Sequence, residues 1–265
     1  MNTPSIKQRL RSGARLNGCW IETFSPIAAE IMAMSGYDTA MIDLEHGPGS
    51  VLDAVTIMQA LGCHGCSPMI RATNTDPSVI KRVLDIGPMG MMVPNVRSAQ
   101  EARDVVAACR YGPQGCRGAA PILLRATGYG KNVADYRQWM EEEFLLIGQI
   151  ESKEAVEDIE TIAALDGLDM LFIGPSDLSA SLGALGQFDS DEFIQAFEKV
   201  EKAALNEGKY LGAIPFPGWD CERLYQNGHH LVLSGADTIM LREAAEHDVQ
   251  ELHEACQTAS EPSAE

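Results

Sequence analysis

Positive charge, long apolar runs and suitably placed lysines are all scarce in this chain of 265 residues. Lys and Arg together number 20 against 38 Asp and Glu, for a net charge of -18. Such a surface repels phosphate backbones, so no nucleic-acid partner is expected. The densest basic stretch, residues 7 to 15, reads as a solvated amphipathic helix. No apolar stretch reaches the roughly 18 residues of a membrane span, and no apolar core follows the N-terminal basic residues as a secretory signal would require. A cytoplasmic protein without a membrane partner is the expectation. The seven cysteines are odd in number, and Cys19 and Cys109 sit within apolar runs. That pattern suits buried thiols in a reducing compartment better than a disulfide framework. Cys63-His64-Gly65-Cys66 has the spacing of half a zinc site, but no second pair follows, and a structural zinc needs four ligands.

What is present is a rhythm. Strand-like apolar runs recur near residues 18–23, 39–43, 68–72, 90–94, 145–150, 169–173, 210–215 and 231–234. Helical spacing separates them, over 26–35, 51–61, 77–85, 98–109, 153–165, 191–206 and 219–227. Ser50, Asp76-Pro77 and Ser98 stand where helix-starting residues belong. The strands are apolar runs rather than strict alternations, which predicts a parallel sheet covered on both faces. Eight strand-helix units in this length predict an α/β fold, a single (β/α)₈ barrel over residues 1–256. A final helix from 236 to 256 is added to the barrel, and residues 257–265 are polar enough for a frayed tail. Residues 110–144 form a long excursion rich in Gly and Arg, of the kind that is functional or interfacial more often than inert.

In such a barrel the chemistry sits at the C-terminal ends of the strands. The fifth run ends in Gln149-Ile150-Glu151, and the sixth leads into Gly174-Pro175-Ser176-Asp177. Parallel neighbouring strands bring Glu151 and Asp177 to one rim, where a hard divalent cation could take an oxygen from each. Helix capping by both residues is the plainer alternative, but capping alone does not require two buried strands to converge. Asp43-Leu44-Glu45-His46-Gly47 and Arg71 fall on the same rim. Acids, a histidine and an arginine around one mouth suit metal-assisted chemistry on a small anion. The lysines exclude imine chemistry, which needs a desolvated amine inside the barrel. Lys81, Lys153, Lys199 and Lys202 fall in helices, and Lys7, Lys131 and Lys209 lie outside the predicted interior.

The chain resembles the HpcH/HpaI family of metal-dependent (class II) pyruvate aldolases, over about residues 5 to 250. The resemblance rests on residues 43–47 (DLEHG), Ile70-Arg71, residues 80–87 (IKRVLDIG), residues 110–118 (RYGPQGCRG), Gln149-Ile150-Glu151 and residues 172–179 (FIGPSDLS). It implies a TIM barrel of the phosphoenolpyruvate/pyruvate type and cleavage of a 4-hydroxy-2-oxo acid to pyruvate and an aldehyde, through a metal-stabilised enolate. Glu151 and Asp177 match the ligands of a Mg²⁺, Mn²⁺ or Co²⁺ ion. Arg71 matches the arginine on the pyruvyl group, Gln149 a glutamine beside the metal ligands, and His46 with Asp85 a His-Asp proton-transfer pair. Gly174, Pro175 and Ser176 fall where the pyruvyl carboxylate is held, and Ile214 and Pro215 line the aldehyde side. The family analogy also implies a homo-oligomer, trimers paired into hexamers with the last helix exchanged. Pro88-Met89 and Pro215-Phe216-Pro217 depart from the family pattern, which puts the aldehyde in question. His229-His230 has no family counterpart and reads as loop. One alternative is a citrate-lyase or malyl-CoA type of carbon-carbon lyase, which would need cations for the CoA phosphates beyond Arg71, Arg117 and Arg125. Another is a non-catalytic barrel serving as a binding protein.

Overall fold

The computed structural model describes residues 4–260. Strands β1 (Leu16–Ile21), β2 (Thr39–Asp43), β3 (Ser67–Arg71), β4 (Gly90–Val93), β5 (Leu145–Ile150), β6 (Met170–Ile173), β7 (Tyr210–Ala213) and β8 (Leu231–Ala236) form a closed barrel in chain order. Every pairing is parallel, including β8 back onto β1. Helix α1 (Ile6–Arg11) precedes the barrel; α2 (Pro26–Met34), α3 (Val51–Cys63), α4 (Pro77–Ile86) and α5 (Ala99–Cys109) follow the first four strands. Then come α6 (Val133–Glu142) before β5, and α7 (Lys153–Glu157) with α8 (Ile159–Ala163) after it. Helices α9 (Pro175–Ser181) and α10 (Asp191–Asn206) follow β6, α11 (Cys221–Gln226) follows β7, and α12 (Asp237–Ser260) follows β8. No described helix is long and apolar enough to cross a membrane.

The two-residue period of the strands decides what fills the barrel. Met41, Met69, Ile147 and Met170 belong to the interior cluster. Two residues further along the first three of these strands stand Asp43, Arg71 and Gln149, so polar residues lie above apolar ones toward the C-terminal mouth, while Phe172 keeps the β6 position apolar. The outward faces pack on the helices in a second, larger cluster.

The N-terminal helix is not merely solvated. Ile6 and Leu10 are fully buried in the interior cluster, so α1 plugs the barrel floor while Ser5 and Gln8 form its capping box. Strand β1 starts and ends two residues earlier than its apolar run suggests. Leu16 N-H donates to the His230 carbonyl, extending the strand backward, whereas the Glu22 and Thr23 N-H groups donate to the Asp237 carboxylate and leave the ladder. The helix expected over 153–165 is divided at Asp158, whose carboxylate accepts the Ala99 N-H at 2.7 Å.

Helix α5 runs back from the mouth, so the excursion at 110–144 lies on the barrel floor. It contains a 3₁₀ turn at Arg125–Thr127 and helix α6, neither of which was expected. Arg117 within it is buried and bonds Asp85 at 2.9 Å and the Tyr136 hydroxyl at 3.0 Å. Helix α12 continues four residues past the expected end at 256, through Ser260; residues 261–265 lie outside the described residues. The His229-His230 pair lies in the loop between α11 and β8, as expected, but its side chains are structural: His229 is fully buried against Glu201 at 2.9 Å, and His230 Nδ1 accepts the Leu211 N-H.

Candidate active site

Arg71 is fixed from four sides. Its Nε and Nη2 donate to the two Asp43 oxygens at 2.9 and 2.6 Å, its Nη1 lies 3.2 Å from Glu45, and its guanidinium stacks 4.4 Å from the Trp20 ring centroid. The fork geometry of guanidinium on carboxylate explains why an arginine, not a lysine, fits here. Asp43 is fully buried. Burial alone would raise its pKa, but the hydrogen bonds and charge of Arg71, with the backbone N-H groups of Glu45 and His46, hold it below the usual carboxylate range. Asp43 thus stays ionised and sets the direction of Arg71.

Glu151 is buried at the end of β5. One of its oxygens accepts the Asn95 N-H at 2.7 Å and the other accepts from Gln149 Nε2. Asn95 presents that N-H from a left-handed backbone (φ 52°), a conformation asparagine tolerates better than most residues. Burial pushes the Glu151 carboxyl up to about 7; the Asn95 bond opposes this, and the charges of Asp177 and Glu45 add to it. Asp177 is exposed to the mouth in the first turn of α9. Gly174, expected to bind substrate, has a tighter structural duty. A Cβ there would stand 2.5 Å from a Glu151 oxygen and 2.9 Å from Gln149 Nε2, so any side chain would displace the carboxylate.

These residues open on a cavity of about 330 Å³. Trp20, His46, Arg71, Gln149, Ser176 and Asp177 line its polar side, and Ile214, Pro215, Leu233 and Ile239 its apolar side. No group of three or more His, Cys, Asp or Glu suited to a metal occurs among the described residues. The donors that do occur are all hard. Glu151 is a desolvated carboxylate pressed by neighbouring negative charge, Asp177 is an open one, and Gln149 Oε1 is buried without a hydrogen-bond partner. Such a set, completed by oxygens of water or substrate, fits Mg²⁺ or Mn²⁺ better than it fits an empty pocket. The Cys63–Cys66 stretch belongs to no group of three or more such ligands among the described residues: Cys66 is buried, Cys63 is exposed, and His64 bonds Glu30.

The structure brings His46, Arg71, Gln149, Gly174, Pro175, Ser176, Asp177, Ile214 and Pro215 to one cavity, with Glu151 beside it. It does not bring Asp85 there. Asp85 lies in the last turn of α4, which has returned to the barrel floor, and its partner is Arg117. His46 and Asp85 of one chain therefore occupy opposite ends of the barrel. Arg117 and Arg125 are on the floor too, Arg125 donating to the Ile86 carbonyl. Among the residues lining the cavity, Arg71 is then the one Lys or Arg, already paired with Asp43 and Glu45, and the acyl-thioester alternative is the less favoured. Asp43, Trp20 and Asn95 carried no role in the sequence reading. The placing of Asp43 and Arg71 at the ends of neighbouring strand-like runs was the available hint for the first, without the register that pairs them; nothing local marked the other two.

Fold and mouth define a (β/α)₈ barrel with an acid-rich, arginine-bearing site at the C-terminal rim. Residues 16–244 match the model of the HpcH/HpaI aldolase/citrate lyase family, and the chain belongs to that family. A hydroxypyruvate/pyruvate aldolase of Chromohalobacter salexigens is 40% identical over 228 residues, covering 86% of this chain and 89% of the relative. A 4-hydroxy-2-oxo-heptane-1,7-dioate aldolase of Escherichia coli is 35% identical over 242 residues, covering 91% and 92%. The crystal structure of a family protein from Burkholderia cenocepacia superposes with a TM-score of 0.88 at 33% identity, covering 95% of this chain and all of that one.

Proposed function

We propose that this protein is a carbon-carbon lyase that reversibly cleaves a 4-hydroxy-2-oxo acid to pyruvate and an aldehyde, with a divalent cation at Glu151 and Asp177. The observation that carries the reading is the pairing of a fully braced Arg71 with a desolvated Glu151 at one mouth. A bound Mg²⁺, Mn²⁺ or Co²⁺ would supply Lewis acidity at the keto oxygen of the 2-oxo acid. Arg71 supplies a fixed positive charge where the oxyanion of the enolate develops, and Asp43 keeps it from moving as that charge grows. Gln149 orients Glu151 through its amide and keeps its own carbonyl oxygen buried without a hydrogen-bond partner. The first-turn N-H groups of Ser176 and Asp177, which have no partner within the helix, suit the pyruvyl carboxylate, and Pro175 at the helix start sacrifices none. His46, lining the cavity, moves the 4-hydroxyl proton.

The His46-Asp85 pair of the family analogy is then made between two copies, because one chain cannot make it. A homo-oligomer is consistent with α12, in which every residue from Leu241 to Ala259 is exposed, including Leu241, Val249 and Leu252. The buried, unbridged thiols Cys19, Cys66 and Cys109 favour a reducing cytoplasm.

Pyruvate release from a panel of 4-hydroxy-2-oxo acids, with and without EDTA, tests the assignment. Chelator should abolish release and Mg²⁺, Mn²⁺ or Co²⁺ restore it, while Glu151→Gln folds but binds Mn²⁺ weakly by calorimetry. Full activity in excess EDTA, or borohydride trapping of a pyruvate adduct, would overturn it.

A further inference from the structure

The part of the mouth away from Glu151 and Asp177 is built by the ends of β7, β8 and β1 and the first turn of α12. Its walls are apolar, from Ile214, Pro215, Leu233 and Ile239, and one charge is set into them, that of Glu22. Glu22 is not a loose surface carboxylate. Its N-H donates to Asp237 Oδ1 at 2.9 Å, and its Oε2 accepts from the Thr238 hydroxyl at 3.0 Å. Asp237, itself buried, also takes the N-H groups of Thr23 and Thr238, which locks the β1 end to the start of α12. The other Glu22 oxygen has no hydrogen-bond partner among the described residues. Arg71 cannot neutralise it, being occupied by Asp43 and Glu45.

We propose that Glu22 is a specificity-determining residue, a fixed negative charge on the aldehyde side of the mouth. It admits an uncharged aldehyde portion that carries a hydroxyl and rejects one that ends in a carboxylate. The inference rests on the aldolase reading and deepens it by naming the substrate class. A cation at Glu151 and Asp177 is offset by those carboxylates and by the pyruvyl anion, so a second carboxylate on the substrate tail meets like charge with no counter-ion. Apolar walls keep that repulsion from being screened as it would be in water. A tail hydroxyl instead donates to the open Glu22 oxygen, so the same group attracts one substrate and repels the other.

The test compares kcat/KM for pyruvate release from two seven-carbon compounds differing only at C7, 4-hydroxy-2-oxoheptanedioate and 4,7-dihydroxy-2-oxoheptanoate. The native enzyme with its metal should favour the dihydroxy acid by about tenfold or more, since each factor of ten needs only a modest charge interaction. Glu22→Gln, which keeps the acceptor for Thr238, should bring the two within about threefold, chiefly by raising the rate on the dioate. Added salt should narrow the native preference in the same direction. A native enzyme that prefers the dioate, or a Glu22→Gln variant with an unmoved ratio, overturns the proposal. Because the native preference is read without any variant, misfolding of Glu22→Gln cannot rescue it. Pyruvate from neither compound, nor from any other 4-hydroxy-2-oxo acid, would instead remove the aldolase reading beneath it.

Discussion

Asp43 and Glu151 show two opposite uses of a buried carboxylate. Asp43 is paired bidentately and kept ionised; Glu151 is driven toward its protonated form by burial and by the charges of Asp177 and Glu45, which the Asn95 bond and the more distant Arg71 charge only partly offset. Removing one partner of a buried ion pair leaves an uncompensated charge, which costs about 3–5 kcal/mol. Asp43→Asn should accordingly lower stability by about that amount in urea unfolding. It should also cut kcat for cleavage by roughly 10², because Arg71 loses its fixed direction at the developing oxyanion. A variant with normal kcat would reduce Asp43 to a folding role. For Glu151 the sign is reversed. In EDTA-treated protein the folded chain holds a proton up to about pH 7, whereas the unfolded chain releases it near 4.5. The stabilisation from that proton is complete below the unfolded value and is lost as pH rises through 7. The Tm of metal-free protein should therefore fall between about pH 5 and pH 8. Glu151→Gln should flatten that fall, and an equally steep fall in the variant would assign it to another group.

Helix α1 shows how an element acquires a duty its composition conceals. Its basic residues face outward, Lys7 to Asp169 and Arg9 to Asp38, while Ile6 and Leu10 close the barrel floor. Leu10→Ala leaves a cavity that the closed barrel cannot collapse to fill, so a loss of about 2–5 kcal/mol is expected in denaturant unfolding. Loss below 0.5 kcal/mol would mean that α1 is a detachable cover. The eight strands and most of the helices were legible because their periods differ and their caps are local. Helix α6 was not, because it lies within the Gly- and Arg-rich excursion, outside the alternation of strands and helices, and Tyr136 is its one buried residue. The break between α7 and α8 was hidden for a different reason, since it depends on Asp158 reaching the first turn of α5, 59 residues away.

At the scale of the whole molecule, the antiparallel return of each helix separates the catalytic rim from the floor. Residues that a sequence places in one motif set, such as His46 and Asp85, are thereby put at opposite ends. If the pair forms between copies, His46→Ala and Asp85→Asn should each lose about 10² to 10⁴ of cleavage rate as pure proteins. Refolding the two variants together should then restore activity in the mixed assemblies, which contain intact sites. Oxaloacetate decarboxylation, which takes no proton from a hydroxyl, should suffer less in both. No recovery on mixing would confine His46 to a role within its own chain.

The sequence by itself determined the barrel, since an eightfold alternation of parallel-type strands with helices has few other closed solutions. It also determined the facing carboxylates Glu151 and Asp177, since parallel neighbours end on the same rim. Both follow from local periodicity and a fixed crossover hand, which need no knowledge of distant residues. Tertiary structure alone decided that Asp43 braces Arg71, that Asn95 and Gln149 bind Glu151, that Gly174 clears space for it, and that Glu22 is locked by Asp237 and Thr238. Each of these depends on the register or approach of segments distant in the chain. Register is fixed only when the barrel closes, because only then does the two-residue period of one strand meet that of the next.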